Sequence, residues 1–207
     1  MKRPLRTTSE RAVTHSMGHR EPTVIAAMVK ENLHGIGLLG PMKAEAIREA
    51  LGRDLLDQVE DAIRIGRLPT AVDQRIIRAI FQHAGAEGVA KVIDHTIRTH
   101  LDKPLFRPML LGVTHVYGLE PKPALAILCK GFNLVHRDNG TLSFVDRPGE
   151  LGLELTGAEP STVADRSYML AYAGAFQTAL RVAAPSGRVT VADIDPDRGF
   201  ARFACQI

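Results

Sequence analysis

The sequence predicts an α+β protein in which an N-terminal helical lobe packs on a C-terminal αβ lobe with an antiparallel sheet. Three observations carry that reading. Apolar residues recur at helical spacing from Glu21 to Gly131; the period then falls to two around reversals at Asn139-Gly140 and Pro148-Gly149; and one long apolar helix precedes a closing hairpin. The second half therefore has the order βββ-α-ββ. The borders that follow are a basic, disordered tail over residues 1–20, a helical lobe over 21–131 and an antiparallel αβ lobe over 132–207, integrated into one domain.

The helices read in order. "PMKAEAIREALG" opens with Pro41, which suits a first helical turn, and stops at Gly52. "RDLLDQVEDAIRIG" puts Leu55, Val59, Ala62 and Ile63 on one face and ends at Gly66. "TAVDQRIIRAIFQHAG" and "EGVAKVIDHTIRTHL" repeat the pattern, and "LFRPMLLGVTHVYG" and "KPALAILCKG" extend it, the last opened by Pro123 and closed by Gly131. In "FNLVHRDNGTLSFV" two β-rich runs flank Asn139-Gly140, a pair suited to a type I′ hairpin, with Phe132, Leu134 and His136 on one face. "ELGLELTG" then alternates Leu151, Leu153 and Leu155 with Gly152 and Glu154, completing a three-stranded meander. Thr162-x-x-Asp165 has the form of a capping box ahead of the long helix, whose buried stripe is Met169, Tyr172, Ala173, Phe176, Leu180 and Ala183, with Gly174 allowing close approach to a sheet. "GRVTVADI" and "FARFACQI" close the fold around "DPDRG".

Composition narrows the function classes. Hydrophobic residues make up 45% of the 207 and charged residues 24%, as in ordinary globular chains. No apolar run approaches the roughly 20 residues of a membrane span and no secretory signal is visible, so a cytoplasmic location is expected. Cys129 and Cys205 stand too far apart to suggest a disulfide framework or a zinc site. The formal charge of +3 is concentrated in the tail, where Lys2, Arg3, Arg6, Arg11 and Arg20 oppose only Glu10, leaving a nearly neutral body. Nucleic acid is accordingly not expected as a partner except through the tail.

Two glycine- and aspartate-rich motifs resolve into plain connections. "GIGLLG" matches a dinucleotide fingerprint in its letters, but the polar, helix-like "VKENLH" stands where a strand is needed. "DIDPDRG" offers Asp193, Asp195 and Asp197 at alternate positions, yet Gly199 comes one place late and Ala204 stands where a bidentate glutamate is required, so an aspartate-rich turn is the reading. Among the histidines, His95 is expected in solvent beside Lys91, Arg98 and Asp102, His100 beside the apolar stripe, and His115 within an apolar helix. No metal set, catalytic triad or Cys-His pair emerges from spacing.

The run "LFRPMLLGVTHVYGLEPKPALAILCKGFNLVHRDNG", then "RPGELGLELTG", "YMLAYAGAFQTALRVA" and "GFARFACQI", resembles a bacterial domain family of unknown function, abundant as paralogues in myxobacteria and distantly similar to vinyl-reductase-type and haem nitric-oxide-binding (H-NOX-like) sensory domains. The resemblance covers roughly residues 40–207 and rests on element order with scattered apolar and glycine positions. It implies an H-NOX-like arrangement of a helical lobe against an αβ lobe. Haem-binding relatives hold haem between the lobes through a histidine on the helix before the first hairpin; here "KPALAILCKG" has none, and Cys129 and His136 stand nearest. Those relatives also grip the propionates with a tyrosine-serine-arginine motif, of which "TLSFVDRP" keeps only Ser143. Zinc-holding relatives carry several C-terminal cysteines, whereas Cys205 is alone.

The functional expectation is a non-enzymatic sensory or protein-interaction domain with an apolar cleft between its lobes, holding a small apolar ligand or a partner segment near His115, Cys129, Phe132, His136 and Tyr172. No catalytic residue, cofactor or metal is expected. The alternatives are a haem-binding gas or redox sensor with Cys129 or His115 as a non-standard axial ligand, and an enzyme or binder acting on a tetrapyrrole or aromatic molecule. A homodimer through the long helix or an open sheet edge is the base-rate expectation.

Overall fold

The computed structural model describes residues 20–101 and 121–207. The basic tail up to residue 19, the segment "LFRPMLLGVTHVYG" and His115 lie outside the described residues. The chain is α+β. Its first half runs β1 (Thr23–Ile25), α1 (Ala26–Gly35), a 3₁₀ turn (Ile36–Leu39), α2 (Pro41–Leu51), α3 (Arg53–Asp61), β2 (Arg67–Pro69) and α4 (Thr70–Leu101). Its second half runs α5 (Pro121–Val135), β3 (His136–Arg137), β4 (Thr141–Arg147), β5 (Glu150–Thr156), α6 (Pro160–Ala164), α7 (Arg166–Leu180), β6 (Arg188–Asp195) and β7 (Phe200–Gln206).

The "GIGLLG" glycines form a helix-to-helix connection. Gly35 lets α1 lie against α4, since a Cβ there would stand 2.9 Å from Val92 Cγ1, and Gly40 at φ 91° redirects the chain into Pro41. The two helices expected on either side of Gly85 are the halves of α4, which is interrupted at that residue (φ 67°, ψ −170°). Ile76, Ile77 and Ile80 before the break and Val89 and Val92 after it are all buried.

Helix α3 departs from the expected pattern. It ends at Asp61, Ala62 is extended, and Ile63 and Ile65 are 74% and 91% exposed. The reason is tertiary: α1 has no side-chain cap, and its first N–H groups are satisfied by this loop, Ala26 donating to the Gly66 carbonyl at 2.9 Å and Ala27 to that of Arg64 at 3.0 Å. The loop then enters β2, which pairs antiparallel with β1, and both strands lie in what reads from sequence as purely helical chain.

A second departure concerns "FNLVHRDNG". Phe132, Asn133, Leu134 and Val135 continue α5 as helix, so residue 131, the expected end of the helical lobe, lies inside it. Buried Leu125, Cys129, Phe132 and Val135 form one helical stripe. Only His136 and Arg137 are extended, and they pair with β1 rather than with β4. Asn139-Gly140 is therefore not a hairpin tip. The Pro148-Gly149 reversal is as expected: β4 pairs with β5 from Thr141–Thr156 to Arg147–Glu150. The main sheet is antiparallel in the order β4-β5-β7-β6, and the small sheet has the order β2-β1-β3.

Helix α7 lies between α4 and the main sheet. Asp165, not Thr162, is its N-cap, accepting from the N–H groups of Ser167 at 3.1 Å and Tyr168 at 3.3 Å, while Thr162 sits within α6. Gly174 allows approach to a helix rather than to a sheet, its nearest neighbour being Ile93 of α4. On the sheet side, Phe176 meets Phe203 of β7 edge-on with centroids 5.0 Å apart. No helix among the described residues is long and apolar enough to cross a membrane.

Two glycines test this geometry as a pair. Gly140 and Gly149 have nearly equal φ (77° and 78°), but a Cβ on Gly149 would meet nothing within 4 Å, whereas one on Gly140 would stand 2.7 Å from the Thr156 carbonyl oxygen. Gly149→Ala should cost about 1–2 kcal/mol for the left-handed backbone alone. Gly140→Ala should cost about 1–3 kcal/mol more for the added clash, read as the difference between the two urea midpoints.

Candidate functional site

The site grows out of the end of α5. Beyond Val135 the chain makes a short strand, and then Asp138 adopts φ 55°, unusual for a residue with a side chain, followed two residues later by Gly140 at φ 77°. Between them Asn139 is fully buried. Its Nδ2 donates to the Tyr172 hydroxyl at 2.8 Å and lies 3.3 Å from His136 Nδ1, which in that arrangement accepts. Tyr168, one turn before Tyr172 on α7, has its ring 4.7 Å away, and its hydroxyl donates to Asp73 Oδ2 at 2.9 Å. Asp73 Oδ1 accepts from Asn32 Nδ2 at 2.9 Å. A buried polar path thus joins α1, α4, α7 and the 136–140 loop.

Aromatic rings surround that path. Phe132 stacks on His136 at 4.4 Å and meets Tyr172 edge-on at 5.2 Å; His136 meets Tyr172 edge-on at 5.3 Å. Three of the five side chains expected at a site therefore come together: Phe132, His136 and Tyr172. Cys129 is buried one turn earlier on α5. The seam expected to be an apolar cleft is filled at this point by the rings themselves. Sequence reasoning missed Asn139, Tyr168, Asp73 and Asn32; Asn139 was legible only as a turn former, and the other three only as positions in helices.

Burial tunes every titratable group in the cluster. It pushes the His136 imidazole down to about 3, with the Arg67 charge adding to the effect, so the ring is neutral. Burial raises both tyrosine hydroxyls well above their ordinary range. Asp73 is raised as well, burial outweighing the hydrogen bonds from Asn32 and Tyr168. The Cys129 thiol is pushed up to about 11, by burial and then by the neighbouring Cys205.

Outside the loop lies an open depression of about 380 Å³, lined by Arg67, Asn133, Leu134, His136, Arg137, Asp138, Gly140 and Thr141. Arg67 comes from β2 and is held across it, donating to the carbonyls of Leu134 at 2.8 Å, Val135 at 3.1 Å and Thr23 at 3.5 Å. It thereby caps the C-terminus of α5 with a positive charge, where the helix dipole favours one.

The described residues do not fit a haem. Cys129 is buried one turn from Phe132, and the Phe132, His136 and Tyr172 rings pack against one another rather than leaving a slot for a porphyrin. Phe132 stacks on one face of the His136 ring and Tyr172 meets it edge-on. Among the described residues no group of three or more His, Cys, Asp or Glu could hold a metal ion.

No family model and no curated protein matches the chain. A solved structure described as "Modulating Heme Redox Potential Through Protein-Induced Porphyrin Distortion" aligns over 87% of this chain and 95% of that one, at 12% sequence identity and a TM-score of 0.49. A likeness of that degree carries no argument about what this chain binds.

Two measurements check the cluster. Tyr168→Phe removes a donor from a buried carboxyl oxygen and should cost about 1.5–3 kcal/mol in urea unfolding. The pH dependence has opposite signs for the two buried groups. His136 is depressed from 6.5 to about 3, so between those values the unfolded chain binds more protons and stability falls as pH falls; His136→Gln should flatten that limb relative to wild type. Asp73 is raised above 3.8, so the folded chain binds more protons there and stability falls as pH climbs through its folded pKa; Asp73→Asn should remove that loss. Urea midpoints across a pH series separate the two.

Proposed function

We propose that the chain is a non-catalytic sensory or interaction domain that takes a small ligand at the 136–140 loop. The observation that carries this reading is the continuity between an open surface depression and buried hydrogen bonds reaching α7, α4 and α1 through His136, Asn139, Tyr172, Tyr168 and Asp73. A ligand that moved the loop would have to remake those bonds, so occupancy at the surface would be felt by the helices of the first half.

The same chemistry argues against turnover. A general base or nucleophile works best with a pKa near the working pH, and here the imidazole is far below it and the tyrosines and Cys129 far above. Neutral, hydrogen-bonded and packed side chains suit recognition better than proton transfer.

Native mass spectrometry of the purified chain, followed by thermal shift with the retained molecule, tests the reading. A stoichiometric small molecule should be retained, and the melting temperature should rise with its concentration, less so for His136→Gln. Chemical conversion of that molecule by the protein would overturn the reading. Protein produced with added haem should show no Soret band at stoichiometric loading.

A further inference from the structure

We propose that the depression beside His136 is a carboxylate site, built to hold a small organic monocarboxylic acid between the guanidinium groups of Arg67 and Arg137. The proposal rests on the ligand-binding reading above and names the chemistry of the ligand.

Two like charges are brought together there. Arg137 follows His136 on β3, and Arg67 is carried to the same place by β2, with β1 pairing between them. Arg67 feels the Arg137 charge strongly enough for its own pKa to be lowered by it, after burial. Among the described residues the exposed Arg137 side chain makes neither a hydrogen bond nor an ion pair. Asp138 lines the depression too, and its carboxylate acts on Arg67 in the opposite sense. Two guanidiniums against that one carboxylate leave a formal surplus of one positive charge, which suits a monoanion; Arg67 is engaged with the C-terminal carbonyls of α5, so Arg137 supplies the main contact.

Donors are available to make the match directional. Thr23, Val135 and Leu134 take at most three of the five N–H groups of Arg67, which leaves it donors to spare. Carboxylates and phosphates both suit such planar forks, and a surplus of one charge favours the singly charged carboxylate. His136 lines the same space with a ring that burial keeps neutral, so it adds no competing negative charge. An organic body is favoured over a bare ion because Leu134, 54% exposed, lines the same space, and a volume of about 380 Å³ accommodates a small molecule.

The test is calorimetric titration of the full chain with a series of acids from acetate through benzoate to naphthoate, each beside its neutral amide, at constant ionic strength. At least one acid should bind saturably and about tenfold or more tightly than its amide, and Arg137→Gln should remove that preference. Arg137 is exposed, so its substitution should leave the urea midpoint unchanged and keep the comparison interpretable. Equal binding of acid and amide, failure of every acid, or an unaltered preference in Arg137→Gln each overturns the proposal. A neutral molecule retained in native mass spectrometry while no acid binds would sink the carboxylate assignment and leave the ligand-binding reading standing.

Discussion

Helix α7 has to be buried on two sides at once, and the rest of the fold follows from that. Toward α4 it offers Gly174, so that Ile93 can approach, and Thr178, whose hydroxyl donates to Asp94 Oδ1 at 2.9 Å. Arg78 of α4 reaches the N-cap carboxylate of Asp165 at 2.7 Å, so one side chain both starts α7 and ties it to α4. Toward the sheet it offers Phe176 against Phe203, and Gln177, which accepts from the Val189 N–H at 3.3 Å. A helix with apolar groups on two faces is unstable in isolation; it is ordered by what it separates. The main sheet in turn is covered by α7 over β6 and β7 and by α5 over β4, where Asn133 exchanges hydrogen bonds with Leu142.

That position explains why polar groups are buried at the centre. Tyr168 and Tyr172 bring hydroxyls into the interface, and each requires a partner. Asp73 answers for Tyr168 and Asn139 for Tyr172. The solution is incomplete: the Oδ1 atoms of both Asn32 and Asn139 are buried without a hydrogen-bond partner, each amide having committed its NH₂ to the path. Such groups cost stability relative to an apolar core of the same shape. What they contribute is geometry, because hydrogen bonds fix the rotations of Tyr172 and Asn139 where apolar packing alone would allow several.

The parts of the fold legible in the sequence are those decided locally. Pro148-Gly149 reverses the chain because the two residues themselves favour it, and the alternation of Leu153 and Leu155 with Glu154 sets which face of β5 is buried. The α+β order follows from such signals. What the sequence hides is decided from a distance. Phe132 to Val135 look like a strand in a local window, but Arg67, more than sixty residues away, caps the helix through them. The loop after α3 leaves its helical pattern because α1 lacks a cap of its own. Asn139 shows both effects, since its turn chemistry is real and Tyr172 draws its side chain inside. Phe132, His136 and Tyr172 could be gathered in advance because they lie on successive apolar faces; their partners Asp73 and Asn32 carry no mark distinguishing them from ordinary helix residues.

The features that keep His136 neutral and fixed are those that the proposed ligand-binding reading needs. Its ring is held by Phe132 on one face and Tyr172 at the edge, with Asn139 Nδ2 beside its Nδ1. A group fixed in this way loses little entropy when something binds beside it, so a modest contact can contribute most of its energy to affinity. Asp138 adopts the left-handed region at φ 55°, a conformation that aspartate takes more readily than most residues with a side chain. On the proposed reading, a loop held in that way would respond to a ligand as a unit, and its contacts through Tyr172 and Tyr168 of α7 to Asp73 of α4 would carry the response away from the site.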